Sequence, residues 1–225
     1  MKNNVFNLML KDLRLLLHPS TFVFFVLAPA LLFIPSYPRP ISFFYLIVSV
    51  MNMFTLAVQY KDHEFTGLLP VTKKEAVQAR VLSVCFTELA LLIVTVPFAF
   101  LAERMFIKNG MANAAGMEIN VTLYALMLLG YAVANLILIP GGFRKHFKVI
   151  ARGLVAMIAF MLVTLALEAV ISSVDPASPL GFLNGISGAD ILKQLPVLAA
   201  ALVIYAGLNC IAYRIAYGSY ENAEI

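Results

Sequence analysis

Four polar side chains stand where a hydrocarbon-rich sequence has few. Asn52, Glu88, Asn135 and Asn209 each interrupt a long apolar run. Counted at 1.5 Å per residue, Glu88 lies about 12 Å past Arg80, Asn52 about 10 Å from Gln59, Asn135 about 7 Å from Pro140 and Asn209 about 12 Å from Tyr217. Side chains on four helices at one depth can hydrogen-bond helix to helix, form the polar floor of a vestibule, or carry protons through Glu88. Glu168 lies about 6 Å from the far boundary of its run, followed by Ser172 and Ser173, and could form a polar exit or an interfacial anchor. The motifs of soluble chemistry are missing. There is no Gly-Lys dipeptide, hence no G-x-x-x-x-G-K-[ST] phosphate loop. His63-Glu64-Phe65-Thr66-Gly67 lacks the second histidine of a zinc protease, and Gly185-Ile186-Ser187-Gly188 is no nucleophile elbow, because position 189 is Ala189. The three histidines fall in separate segments without ligand spacing. A non-catalytic chain is expected, with no metal and no cofactor of its own.

The composition sets the elements that position these groups. Of 225 residues, 62% are hydrophobic and only 12% charged, against roughly 25% charged in soluble domains. A soluble core of this size could not hide so much apolar surface, which excludes a soluble enzyme, a disordered chain and a disulfide-stapled module. At about 20 apolar residues per crossing, the pattern predicts an all-α integral membrane protein with six transmembrane helices, at residues 21–36, 41–59, 81–102, 121–139, 149–172 and 195–217. Pro35, Pro38 and Pro40 turn the chain after the first span, Pro140-Gly141-Gly142 ends the fourth, and Asp175-Pro176 and Ser178-Pro179 open the loop before the sixth. With no internal repeat and no long linker, residues 1–225 read as one membrane domain. Cys85 and Cys210 sit in apolar runs and read as small buried hydrophobes.

Twelve of the 16 Lys and Arg residues fall on one side of these spans; only Arg39, Arg104, Lys108 and Lys193 fall on the other. This bias predicts that both termini are cytoplasmic, and the net charge of +4 then meets the anionic inner leaflet, with no need of nucleic acid. Residues 1–20 read as an interfacial elbow rather than a span or a removable leader. Asn4, Asn7, Lys11, Arg14 and His18 recur every three or four residues and make one narrow polar stripe on an otherwise apolar helix, expected to face the cytosol. The outer residues 103–120, with Gly110, Asn113 and Gly116, read as a mobile loop.

The longest cytoplasmic connection, residues 60–80, carries the clearest signal. Thr72 with Glu75 forms a capping box that starts a helix running through Arg80 into the third span. Ahead of it, Phe65 and Leu68 are three apart and share a helical face. Asp62 and Glu64 run against the positive-inside trend, so a basic rim on a protein partner is expected to receive them. The segment reads either as a docking piece for a partner's groove or as a solvated loop on headgroups.

The stretch Leu69-Pro70-Val71-Thr72-Lys73-Lys74-Glu75 resembles the "LPVsrkE" stretch of the type 2 ABC transporter permeases, and Leu10-Lys11-Asp12-Leu13 and the six-span plan are also similar to that family. In size and loop pattern the chain looks most like the permease subunits of exporters of phenol-soluble modulins, small amphipathic peptide toxins. The resemblance implies an exporter subunit in a bacterial plasma membrane. It also implies a separate ATPase subunit that holds ATP and Mg, and an assembly of two ATPase and two permease copies. With such a partner, the docking reading of the 60–80 connection places ATPase coupling at Asp62, Glu64, Phe65, Leu68, Lys73, Lys74 and Glu75. A cargo path is expected to touch Asn52, Phe54, Glu88, Glu168 and Ser172, where aromatic and Met residues such as Phe43, Phe44, Met51 and Met53 suit an amphipathic cargo or simply pack against lipid. The alternative is an ion-coupled carrier using Glu88 and Glu168, which predicts an inverted repeat.

Overall fold

The computed structural model describes residues 4–110, 116–143 and 148–221. The helices are α1 (Asn4–Leu15), α2 (Ser20–Leu31), α3 (Arg39–Gln59), α4 (Asp62–Gly67), α5 (Lys73–Asn109), α6 (Val121–Gly142), α7 (Val149–Ser172) and α8 (Gly188–Glu221), with a 3-10 turn at Gly181–Asn184 before α8. No strand occurs among the described residues. Lys2, Asn113 and the basic residues Arg144 and Lys145 lie outside them.

Five helices, α3 and α5 to α8, are long and apolar enough to cross a membrane. The expected first span differs. Its helix stops at Leu31 after 12 residues, about 18 Å, short of a hydrocarbon core of about 30 Å. Residues 32–37 are turns instead, drawn tight by the prolines that follow. A sixth crossing exists only if α1 and α2 count as one span, broken by an 82° bend. Nor does the polar stripe of α1 face water as a whole. Asn7 and Arg14 are exposed, but Asn4 and Lys11 reach α5 and α4, and Phe6 and Leu15 are exposed. Polar groups beside a bilayer gain more from protein partners than apolar ones do, so Asn4 and Lys11 turn toward such partners while Asn7 and Arg14 do not.

The capping box forms as expected. Thr72 Oγ1 accepts from the Glu75 amide at 3.2 Å, and the Glu75 carboxylate accepts from the Thr72 amide at 2.8 Å. From there α5 runs 37 residues without a break, about 55 Å. It passes the expected end at Ala102, because residues 103–109 contain no helix breaker, and it stops where Gly110 takes φ 59°. Of the residues before α6, those from Gly116 on are held to the 3-10 turn: Asn184 accepts from the Glu118 amide at 2.9 Å and donates to the Gly116 carbonyl at 3.1 Å. α8 also starts earlier than expected, at Gly188.

α6 is the central helix, packed on α7 and α8 and touching α3. Two glycines set its spacing. A Cβ on Gly130 would run into Phe160 and Thr164 of α7, and one on Gly142 into the ring of Phe54. Close approach at a glycine replaces lipid contact with dense helix–helix packing. Gly130→Ala is therefore expected to lose about 1–3 kcal/mol by overpacking. Gly207→Ala, with open space around it, is expected to be neutral or better, since alanine favours a helix by about 1 kcal/mol over glycine. Thermal unfolding of both variants in detergent checks the contrast.

Candidate functional site

α4 is six residues long, too short to hold a helix by itself. The chain enters it through Lys61 at φ 51°, a left-handed turn that costs a side-chain-bearing residue energy and needs support from its surroundings. That support comes from a charge cluster on its inner face. Arg80 of α5 donates from Nε to Asp12 of α1 at 2.6 Å and from Nη2 to Asp62 of α4 at 2.7 Å. Lys11 donates to the other Asp62 oxygen at 2.7 Å and to Thr66 Oγ1 at 2.9 Å. Asp12, Asp62 and Arg80 are 2%, 7% and 3% exposed, so water cannot take the place of any of these bonds. Burial alone would raise the Asp62 carboxyl; Arg80 and Lys11 outweigh it and hold the group below the ordinary range. The cavity at the centre measures about 10 Å³, room for one water at most, so no nucleotide or cargo group enters it.

His63 fixes the other side of α4. Its Nε2–H donates to the Gly142 carbonyl at 3.1 Å, and its ring packs against Phe143 and Tyr220 with centroids 5.2 Å and 5.5 Å away. The end of α8 closes on the start of α5, where Lys73 Nζ donates to the Tyr220 and Glu221 carbonyls, a cation at a helix C-terminus. Asp62 thus does not face outward as expected, because its charge is satisfied within the chain. Glu64 is exposed and pairs loosely with Lys61 at 3.6 Å; Lys74 is exposed, and Glu75 serves the cap and accepts from Asn4. Phe65 and Leu68 are 52% and 86% exposed. Beside Phe65, a groove of about 310 Å³ runs between α1 and the α4–α5 link, lined by Asn7, Leu8, Leu69 and Val71 among others.

The mid-bundle polar layer assembles from three of the four expected residues and one more. Asn135 donates to Glu88 at 2.9 Å and to Asn209 at 3.0 Å, and Tyr205 donates to the same Glu88 oxygen at 2.6 Å. Glu88 is 1% exposed and sits among α5, α6 and α8. Asn52 belongs elsewhere, donating weakly to Ser20 at 3.4 Å beside the Thr21–Ser49 hydroxyl pair that joins α2 to α3. Phe54 lines no open path either. It is 2% exposed, packed between Gly142 and the Arg80 guanidinium. Phe43 and Met53 are likewise enclosed.

The model of the family described as ABC-2 family transporter protein matches residues 7–221. The chain belongs to the ABC-2 transporter family. No curated protein and no solved structure matches it significantly. Membership makes this a multi-pass membrane permease of an ABC transporter and implies an ABC ATPase partner. In the ABC-2 permease the end of the bundle that carries α4 is thus built as two faces, a locked inner one and an apolar outer one.

At the opposite end of the permease, Arg39 is fully buried and donates to the Leu32 and Ile34 carbonyls at 3.3 Å and 3.0 Å, which clamps the α2–α3 turn. Glu103, Glu118 and Glu168 surround it within electrostatic reach. Glu168 is therefore no surface anchor: it is 6% exposed, against Arg39. Ser172 and Ser173 are exposed and donate back to the Ala169 and Val170 carbonyls at 3.1 Å and 2.8 Å. Arg39, Asp12, Arg80 and Tyr205 were not expected as site residues. For Asp12 the signal was present, an acid at the basic end with no leaflet charge to favour it. Nothing local marks Tyr205.

Two outcomes follow from this geometry. Glu88→Leu removes the acceptor of one Asn135 N–H, the other keeping its bond to Asn209, and of the Tyr205 hydroxyl. It should cost about 1–3 kcal/mol, and Glu88→Gln should cost less; thermal midpoints of the two variants measure the difference. His63 is held below its ordinary value of 6.5 by burial first and the Arg80 charge second, against the opposing pull of the Gly142 bond. The unfolded chain then binds the proton before the folded one, and stability falls as pH drops below about 6.5. A thermal midpoint followed from about pH 7.5 to about 5.5 should fall less for His63→Gln than for the parent.

Proposed function

We propose that this permease is the membrane subunit of an ATP-driven exporter, with the α4 end cytoplasmic and α4 as the docking element for the ATPase. The observation that carries this reading is the exposure of Phe65 on α4 and of Leu68 at its C-cap, 52% and 86%, on an element whose opposite face is held by buried ion pairs. Apolar side chains kept in water on a fixed helix suit a hydrophobic groove on another protein. Glu64, Lys73, Lys74 and Glu75 form a mixed charged border that orients such a partner more than it tightens it. Two copies of the chain would pair with two ATPase subunits, which bind ATP and Mg. The cargo would be an amphipathic peptide or another hydrophobic molecule. A groove of about 350 Å³ between α5, α6 and α8, lined by Leu89, Leu92, Val96, Phe100, Leu128 and Leu198 among others, begins at the residue after Glu88 and favours an apolar cargo surface over a hydrated solute. The resemblance to phenol-soluble modulin exporters points the same way.

Co-purification with the ATPase subunit, and ATP hydrolysis by the complex in nanodiscs, test this reading. Phe65→Ala and Leu68→Ala should each weaken assembly, by about 2 kcal/mol if each is a central anchor, with the fold of the permease retained. Asp62→Lys is not a clean test, because it would set a third cation beside Arg80 and Lys11 and disturb the fold. Normal assembly and normal hydrolysis in both apolar variants would place the docking site elsewhere.

A further inference from the structure

We infer that Arg80 is a positioning residue that makes α1 and α4 respond as one body. The inference rests on α4 as the docking element and adds that α1 is part of the moving machinery. One guanidinium bonds a carboxylate from each helix, Asp12 from α1 at 2.6 Å and Asp62 from α4 at 2.7 Å. Lys11 closes the ring by crossing from α1 to Asp62 and Thr66 of α4. The cluster holds two cations and two anions, and its central members are at least nine-tenths buried. A displacement of α4 that kept α1 still would have to break a charge-assisted bond where no water can replace it.

The path continues into the membrane part. Along α5, α1 is also held by Asn4 to Glu75 at 3.2 Å and by Ser83 to the Met9 carbonyl at 3.4 Å. At its other end α1 meets α2 at an 82° bend, and α2 is tied to α3 through the Thr21–Ser49 and Asn52–Ser20 contacts. A push on α4 therefore reaches α2 and α3 through α1 as well as through the short α3–α4 turn. Lysine at position 80 would keep the charge but lose the fork that serves two carboxylates at once.

Amide hydrogen exchange on the permease in nanodiscs tests this without the partner. Asp62→Asn alters α4 alone, yet exchange should rise several-fold in α1 as well as α4, with α6 unchanged; Asp12→Asn should do the converse. Arg80→Lys should loosen both helices and serves as the arbiter if either Asn variant raises exchange throughout the chain. A rise confined to the substituted helix, or α1 and α4 left as in the parent by Arg80→Lys, overturns the inference. With the ATPase subunit added, binding should slow exchange in α1 of the parent. In Arg80→Lys, with the subunit added at a concentration that saturates even a weakened site, the α1 effect should be lost, and its persistence would also overturn the inference. A subunit that fails to bind the parent would refute the docking role of α4, while the partner-free measurements still decide the link between α1 and α4.

Discussion

The guanidinium of Arg80 bonded to both Asp12 and Asp62 is the interaction on which the rest of this end depends. Each of these charges would be costly to bury alone, and breaking such a pair by removing one partner costs about 3–5 kcal/mol. Together with Lys11 they cancel. The consequence is geometric. A six-residue helix with no intrinsic stability acquires a fixed place, and its outer face can carry Phe65 and Leu68 without their folding back into the protein. His63 adds a second point of attachment, to the ends of α6 and α8, so that α4 touches the ends of the helices that make the core.

The same rule operates deeper, with a different solution. In hydrocarbon a polar group must find its partner within the protein. Glu88 does so by accepting from two neutral donors, Asn135 of α6 and Tyr205 of α8, and Asn209 adds a second bond between α6 and α8. Arg39 does so by clamping two carbonyls of the α2–α3 turn amid three carboxylates. α5 runs past all three polar sites, from Arg80 through Glu88 to Glu103. Its unbroken length, despite Pro97 within it, suits a rigid connection between the two ends of the bundle.

Apolar side chains divide by what they meet. Phe43, Met53 and Phe54 are enclosed in the core, Phe43 beside Tyr124 of α6 and Phe54 between Gly142 of α6 and Arg80 of α5, and Gly130 and Gly142 leave the space that lets α7 and α3 approach α6. Other faces of the same long helices, such as those with Ile93, Leu162 and Val203, remain exposed as a bilayer-facing surface must. Hydropathy does not separate the two classes, because lipid and core are equally apolar solvents for a side chain.

The sequence by itself determined what depends on the chain order and on transfer free energy: an all-helical membrane protein, five helices long and apolar enough to cross, the capped start of α5, and three members of the mid-bundle polar layer. Those follow from runs of about 20 apolar residues, from capping spacing and from 1.5 Å per residue. Family membership also left a readable trace at Leu69 to Glu75. Only the tertiary structure decided which polar groups meet. Asp12, Asp62 and Arg80 are 50 and 18 residues apart in succession, and Glu88 and Tyr205 are separated by 117. Orientation about a helix axis is set by the neighbours packed there and not by the helix's own residues. That is why Asp62 turned inward while Phe65, three residues on, stayed exposed, and why Glu168 met Arg39 rather than the surface.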